Sequence, residues 1–364
     1  YYDAGQLYLS ISKDENWLPV DGKVGTTEEY KDKEGRVVLK RTFNIVGTTV
    51  EVLSTYYVYD YLGNLCFVLP PGANPDGGIP DATALDNFCY QYRYDSRNRL
   101  IEKKLPGKGW EEVIYNPLDQ VVFTQDAVQR AGAIRSFIKY DAMGRTVMTG
   151  IEIGHHGTRA EVQGTVNTLV PYWETRDNTA ANYHGYNNLS CPSFVPNLQP
   201  HVVNYYDNYD IPGIPDNQSS SYSNKTRGLL TASKTLVLGT ADTFLWTVNY
   251  YDEEGRITRS WQQHYKGGVV SASSYDQNTF TYNFSGEIVG SIRKHYVAGV
   301  QKLYVYNEYS YDHTGRKIST KQRTGDNDAT ANPLIYLSKN SYNEIGQQLA
   351  ESLHSTDDGA SFAQ

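Results

Sequence analysis

The chain has 364 residues and a net charge of −8, with 39% apolar and 20% charged residues. Because no Lys/Arg block occurs, we expect no nucleic-acid binding, which needs a clustered basic surface. No apolar run approaches the roughly 20 residues that span a bilayer, so we expect no membrane insertion. Cys66, Cys89 and Cys191 are odd in number and widely spaced, which predicts thiols rather than a disulfide framework or a metal site.

Tyrosine dominates the aromatic content, with 32 residues against 10 Phe and 5 Trp. Its ring packs on a half-buried surface while its hydroxyl reaches water or a polar partner. The 31 glycines and the abundant Tyr, Thr, Val and Ile favour strands and turns. The sequence therefore predicts a protein built of β-strands.

A short motif, Tyr-(Asp/Asn)-x-x-Gly, recurs along the chain and predicts a series of tight turns. Asp or Asn at the first turn position bonds the backbone two residues on, and glycine at the fourth accepts a positive φ. The tyrosine then ends the incoming strand, and the Arg that often follows the glycine begins the outgoing one. The copies with aspartate are Tyr59-Asp60-x-x-Gly63, Tyr140-Asp141-x-x-Gly144, Tyr251-Asp252-x-x-Gly255 and Tyr311-Asp312-x-x-Gly315.

Imperfect copies of the motif test this interpretation. Asn98, Asp119 and Asp210 stand where the glycine is expected. Asn and Asp are the non-glycine residues that most readily accept a left-handed backbone. The substitutions therefore follow the backbone requirement of the predicted turn.

In chain order, residues 1–150 are predicted to form hairpins, interrupted by a loop at 69–83. Residues 151–228 are predicted to be an irregular insertion that ends in a Pro/Ser/Asn-rich loop and includes one degenerate repeat. Residues 229–364 are predicted to return to hairpins. Most steps between turns are 21 to 35 residues, which fits two strands and two turns, and no convincing helix signal is present.

Segments between the turns alternate with a period of two, as in KLYVYNEYSYD from Lys302. A run of hairpins cannot bury its apolar face alone, so each must pair with its neighbours. Sheet twist then makes a long array curl. The fold class that follows is all-β, an open, curled antiparallel sheet of hairpins.

These repeated Tyr-Asp turns with Gly-Arg and Tyr-rich strands resemble the YD-repeat (Rhs) family. KGWEEVIYNPLDQVVFTQDA from Lys108 is similar in particular to the Rhs-type surface proteins of Bacteroidetes. The resemblance implies a spiralling sheet, like the partial shell of Rhs proteins and teneurins, that encloses a toxin or other variable domain. It also implies an extracellular or cell-surface location. The core signature that closes such a shell does not occur before Gln364, so the chain is expected to be a section of wall cut from a longer polypeptide.

Few other residues suggest metal binding, catalysis or ligand binding. His155-His156 is an adjacent pair that we interpret as a surface turn, without a third ligand that would define a metal site. No sequence motif for nucleotide binding or hydrolysis occurs, so neither enzymatic activity nor a cofactor is expected. Trp173, Trp246 and Trp261 could stack on sugars, although packing within the protein is the stronger interpretation.

The sequence therefore predicts a non-catalytic wall segment that encloses or presents a neighbouring domain of the same polypeptide. The alternative is an adhesion module that binds carbohydrate, or a cell-surface protein, through exposed Tyr and Trp rows. Unpaired strand edges at the ends of the array are also expected to promote association of the isolated chain.

Overall fold

The computed structural model describes residues 2–3, 5–154, 157–179, 183–193 and 197–363. These residues form 21 β-strands and three short α-helices, so the all-β prediction is confirmed. The chain divides into two compact units, Tyr1–Ile138 with Ile151–Tyr172 and Lys139–Gly150 with Trp173–Gln364. These units are defined by contacts within the chain. The division predicted from the sequence, with an insertion at 151–228, is a separate proposal and stays a prediction.

In the first unit, successive strands pair antiparallel with one another from β1 to β10. Phe123 and Phe137 face each other on β9 and β10 and are each 1% exposed, which places the core of this unit there. The strands are β1 (Tyr8–Lys13), β2 (Thr26–Lys31), β3 (Val37–Val46), β4 (Thr49–Tyr59), β5 (Leu65–Leu69), β6 (Tyr90–Tyr94), β7 (Leu100–Lys104), β8 (Glu111–Tyr115), β9 (Val121–Gln125) and β10 (Ile134–Tyr140). Strand β11 (Thr146–Ile153) follows, and β10 and β11 each have residues in both units, since Lys139–Gly150 belong to the second.

In the second unit, successive strands pair antiparallel from β12 to β21. Its core lies on alternate residues of the first strands, where Val203 and Tyr205 of β12 and Val248 and Tyr250 of β14 are all fully buried. The strands are β12 (Leu198–Tyr206), β13 (Leu230–Leu236), β14 (Phe244–Tyr251), β15 (Ile257–Lys266), β16 (Val269–Tyr282), β17 (Ile288–Val297), β18 (Val300–Tyr311), β19 (Lys317–Gly325), β20 (Ile335–Tyr342) and β21 (Gln348–Ser355).

Three short helices are present, although no convincing helix signal was found in the sequence. Three helices begin at a capping side chain, namely Asp81, Asp126 and Thr158, and the last two form capping boxes with Gln129 and Glu161. They are α1 (Ala82–Phe88), α2 (Ala127–Ala131) and α3 (Arg159–Thr168). Short 3₁₀ turns cover Pro19–Asp21, Pro71–Ala73, Pro75–Gly77 and Ser219–Ser221.

Helix α3 is held against β8 in the first unit by both apolar and polar contacts. Val162 and Val166 are buried on one face of the helix. The Gln163 side chain accepts a hydrogen bond from the backbone N–H of Tyr115 at 3.2 Å and donates one to its carbonyl at 2.6 Å. Part of the predicted irregular region is therefore a regular helix whose side chains satisfy a strand backbone.

The backbone requirement at the fourth turn position explains two of the imperfect repeats. Asn98 has φ 59° and Asp119 has φ 63°, so the left-handed conformation predicted for both residues is confirmed. The prediction for Asp210 is wrong, because the turn after β12 is interrupted. Its first residue is Asp207, whose N–H donates to Leu229 O at 3.1 Å, and its left-handed glycine is Gly228, with φ 88°.

We expect Gly63→Ala to lower the free energy of unfolding by about 1–2 kcal/mol, because an L side chain is strained in the left-handed region. Gly63 has φ +88°, and a Cβ there would also come within 2.8 Å of Arg36 Nη1. Urea unfolding followed by circular dichroism measures the change.

Gly164→Ala is the matched control. Gly164 is an exposed residue within α3, and a Cβ there would meet nothing within 4 Å. Alanine should therefore stabilise the protein by about 1 kcal/mol. Equal effects at the two positions would contradict the assigned role of Gly63.

Candidate functional site

Each Tyr-Asp turn is closed by the carboxylate of its aspartate. After β4, Asp60 Oδ1 accepts from the backbone N–H of Leu62 at 2.9 Å and of Asn64 at 2.8 Å. The same two contacts recur at Asp141, Asp252 and Asp312. The glycines of these turns, all with left-handed φ, are Gly63, Gly144, Gly255 and Gly315.

In five of the described turns, an arginine after the turn links the aspartate to the next hairpin, whereas Asn64 occupies that position after Asp60. Arg316 Nε donates to Asp312 Oδ2 at 2.6 Å, and the guanidinium lies over the ring of Tyr342 at 4.9 Å. Tyr342 ends the incoming strand of the next hairpin. The same arrangement occurs in Asp32–Arg36–Tyr59, Asp95–Arg99–Tyr115, Asp141–Arg145–Tyr206 and Asp252–Arg256–Tyr282.

The tyrosine hydroxyl completes this junction. Pairing between β13 and β14 begins at Ala232, so the carbonyl of Leu230 lies beyond its end. Tyr251 Oη donates to that carbonyl at 2.7 Å. The equivalent donors and acceptors are Tyr59 to Val37, Tyr94 to Leu65, Tyr115 to Leu100, Tyr206 to Thr146, Tyr282 to Ile257, Tyr311 to Ile288 and Tyr342 to Lys317.

These contacts give every part of the motif a function in joining hairpins. The aspartate and glycine form the turn, the arginine bridges the turn to the next tyrosine, and that tyrosine satisfies a carbonyl at the end of the previous strand. We call this set of contacts the hairpin junction. Sequence reasoning identified the turn but missed the junction, because its tyrosine and its arginine come from different repeats.

The junction is reinforced where the turn after β12 is interrupted. Arg145 donates to Asp141 and also to both carboxylate oxygens of Asp207, at 2.8 and 2.6 Å. Its hydrogen bond to Asp207 is the main cause that raises the pKa of Arg145 above its ordinary value. Asp207 Oδ1 also accepts from the N–H of Gly228 at 2.6 Å. This carboxylate therefore holds together the two ends of the inserted loop.

The three predicted tryptophans occupy different environments. Trp173 is 39% exposed, whereas Trp261 is 2% exposed and packs on the Tyr275 ring with centroids 5.1 Å apart. Trp246 stacks on Tyr205 at 5.6 Å. Trp173 therefore has the most accessible ring of the three, while Trp261 is buried in cross-strand packing.

A second cluster of polar groups lies apart from the turns, in the second unit. Lys139 Nζ donates to Glu174 Oε1 at 2.9 Å, to Asn188 Oδ1, and to the carbonyl of Ser190 at 3.2 Å. The side chains of Lys139 and Glu174 are both 0% exposed. We call these four residues the Lys139 cluster. Sequence reasoning missed it, because its members are not close in the sequence.

The remaining sequence predictions concern the cysteines, the histidine pair, metal binding and membrane insertion. Cys66 and Cys89 are free thiols. His155 and His156 lie outside the described residues. Among the described residues, no group of three or more His, Cys, Asp or Glu side chains could hold a metal ion, and no helix is long and apolar enough to cross a membrane.

The chain is similar to three crystal structures. The match to TcdB2-TccC3-Cdc42 has 12% identity and a TM-score of 0.41, and covers 95% of this chain and 16% of that chain. The matches to TcdB2-TccC3-TEV and to TcdB2-TccC3 without its hypervariable C-terminal region have 13% identity and the same coverage, with TM-scores of 0.40 and 0.36. The chain thus spans less than a fifth of the length of the chains that it matches. No protein-family model and no curated protein matches the sequence.

We expect Tyr251→Phe to lower the free energy of unfolding by about 1 kcal/mol, since it removes the shorter of two hydrogen bonds to the carbonyl of Leu230 and leaves only that from Asn249 Nδ2 at 3.4 Å. Tyr251 is 5% exposed, so water does not readily replace the hydroxyl. Tyr61→Phe is the control, because Tyr61 is a turn residue that is 94% exposed. A loss of the same size in both variants, measured by urea unfolding, would argue against the junction.

We also expect Asp312 to make stability depend on pH. Desolvation would raise the pKa of the Asp312 carboxyl, but hydrogen bonds from Thr314 and Arg316 hold it well below its ordinary value. Because the folded pKa is depressed, this contribution is fully present above the unfolded pKa of about 3.9 and is lost as pH falls below it.

Asp312→Asn should therefore have a urea midpoint that changes less between pH 5 and pH 3 than that of the wild type. Asn occupies the same motif position at Asn283 and Asn343, so the turn should still form. Identical pH dependence in the two proteins would show that Asp312 does not contribute to it.

Proposed function

We propose that this chain is a structural wall segment of a large Rhs-like YD-repeat protein, where it encloses or presents a neighbouring domain of the same polypeptide. The observation that carries the proposal is the hairpin junction, repeated in both units. Each hairpin both offers a carbonyl to the next tyrosine and supplies a tyrosine to the previous carbonyl. A hairpin with both contacts can extend a wall, because further hairpins of the same kind can be added to it.

The chemistry of the turns supports a structural function. The carboxylates that recur most often are engaged by backbone N–H groups and by arginines, as at Asp252, which accepts from Glu254 N, Arg256 N and Arg256 Nε. An acid or base catalyst needs a carboxyl whose pKa lies near the operating pH. The pKa of Asp252 is instead lowered, because the hydrogen bonds from Arg256 outweigh the effect of desolvation. We therefore propose a non-catalytic function.

The finer parts of the proposal derive from the sequence resemblance. They are membership of the Bacteroidetes-type Rhs surface proteins, an extracellular or cell-surface location, and a toxin or other effector as the neighbouring domain. The wall would contribute a surface and a barrier, and the activity would belong to that domain.

Limited proteolysis of the parent polypeptide tests the proposal. We expect the neighbouring domain to be cleaved more slowly in the parent than when it is expressed alone. Gly255→Val, which strains a turn at φ +79°, should open one hairpin junction and accelerate that cleavage. Phe284→Ser should have no effect, because Phe284 is a fully exposed turn residue.

Equal cleavage of the neighbouring domain in the parent and in isolation would overturn the enclosing function. A glycan array provides the second arm of the test. Binding by the purified chain that Trp173→Ala abolishes would favour the adhesion alternative, and the absence of such binding together with protection would support the wall.

A further inference from the structure

In the Lys139 cluster, a carboxamide and a carboxylate both contact the same amine. Lys139 is the second-last residue of β10, and its Nζ contacts both Glu174 Oε1 and Asn188 Oδ1. Lys139 is 1% exposed, Glu174 is 2% exposed and Asn188 is 6% exposed. Lys139 Nζ therefore contacts the oxygen that is bonded to Asn188 Cγ, and the site is buried from water.

The environment favours the uncharged, nucleophilic form of the lysine. Burial lowers the pKa of Lys139, against the opposing effect of the Glu174 carboxylate. A buried ammonium ion is costly because it loses its hydration. A neutral amine in a desolvated site is a nucleophile, as in lysines that form covalent intermediates.

The carboxylate is in contact with the amine whose proton it would accept. Glu174 Oε1 accepts from Lys139 Nζ and from the N–H and hydroxyl of Ser190. Its second oxygen, Oε2, is buried and has no hydrogen-bond partner among the described residues. The amide nitrogen of Asn188 is directed away from the lysine and donates to Ser193 O at 3.4 Å. The carbonyl side of the amide therefore faces the amine, and its NH₂ group faces away.

We infer that Lys139 and Asn188 form an intramolecular isopeptide bond, with Glu174 as the proton-transfer residue. Contact between the amine, the amide and the carboxylate supplies the orientation that such a reaction requires. The bond would attach the segment around Asn188 to strand β10. Its product is a secondary amide, which removes both the buried amine and the buried primary amide.

The reaction balances without an oxidant or a cofactor. The lone pair of neutral Lys139 Nζ attacks Asn188 Cγ, and a proton moves from Nζ to Glu174. Glu174 returns the proton to Asn188 Nδ2, the Cγ–Nδ2 bond breaks, and ammonia leaves. One C–N bond forms and one breaks, so the chain loses the atoms of one ammonia molecule.

The bond would secure a segment that has no place in the hairpin repeat. Lys139 and Asn188 are 49 positions apart, so the link closes a long loop and restricts the unfolded chain. Close to Asn188, the Tyr186 ring stacks on Tyr205 of β12 with centroids 5.9 Å apart. The covalent link would keep this ring on the strand.

The mass of the purified intact chain tests the inference. We expect it to be lower than the sequence mass by one ammonia. After tryptic digestion, peptide 136–145, which contains Lys139, should be found linked to peptide 177–225, which contains Asn188. Fragmentation of the linked pair identifies the two residues and distinguishes this bond from ammonia loss at another asparagine.

Variants separate the roles of the three residues. Lys139→Met, Asn188→Ala and Glu174→Gln should each show the full sequence mass and no linked peptides. Asn187→Ala is the matched control, because the neighbouring Asn187 side chain accepts from Thr175 N and not from Lys139. This variant should still lose one ammonia.

Two results would overturn the inference. One is a wild-type chain of full sequence mass in which trypsin cleaves after Lys139, so that peptides 136–139, 140–145 and 177–225 are recovered separately; this result needs no variant to fold. The other is a linked pair that persists in Asn188→Ala. Retention of the link in Glu174→Gln would overturn the role assigned to Glu174.

Discussion

The structure depends on one recurring type of hydrogen bond, which a tyrosine hydroxyl donates to a backbone carbonyl of the preceding hairpin. Strands β15 and β16 stop pairing at Arg259 and Thr279, and the carbonyl of Ile257 beyond that point would lack a partner. Tyr282 reaches it at 2.7 Å. Because an unpaired buried carbonyl is costly, this contact fixes where each strand ends and where the next turn begins.

The same constraint explains the unusual composition. A phenylalanine could fill the space under the arginine but could not donate to the carbonyl, so the repeat requires tyrosine at this position. Tyrosines also pack across strands, as where Tyr275 of β16 stacks on Tyr296 of β17 with ring centroids 4.7 Å apart. Rings with polar ends thus allow a chain with only 39% apolar residues, tyrosine included, to pack.

The turns could be predicted from sequence because their chemistry is local. Asp60, its backbone donors and Gly63 lie within five consecutive residues, so spacing alone identifies them. The helices were missed although their capping residues, such as Thr158 and Glu161, were present in the sequence. Those signals are short, and helices of five and ten residues, as in α2 and α3, are too short to show a clear helical periodicity.

Contacts between distant residues could not be predicted in this way. Asp207 and Gly228 form one turn although 21 positions separate them, so a search for contiguous motifs assigned the glycine position to Asp210. The hydroxyl acceptor of each tyrosine lies in another repeat, and Lys139 meets Glu174 across 35 positions. The spacing of residues in one sequence does not identify such pairs, because they come together only when the strands pair in the folded chain.

The Lys139 cluster is also difficult to explain by stability alone. Burying an ammonium and a carboxylate costs hydration that their attraction only partly offsets, and apolar residues of similar volume are often equally or more stabilising. A purely structural contact would not require Asn188 Oδ1 on the same nitrogen, nor an oxygen of Glu174 without a partner. Both features have a function if the amine and amide react. The hairpin junctions hold the repeating strands without covalent bonds, whereas a segment outside the repeat lacks those junctions and needs an attachment of its own.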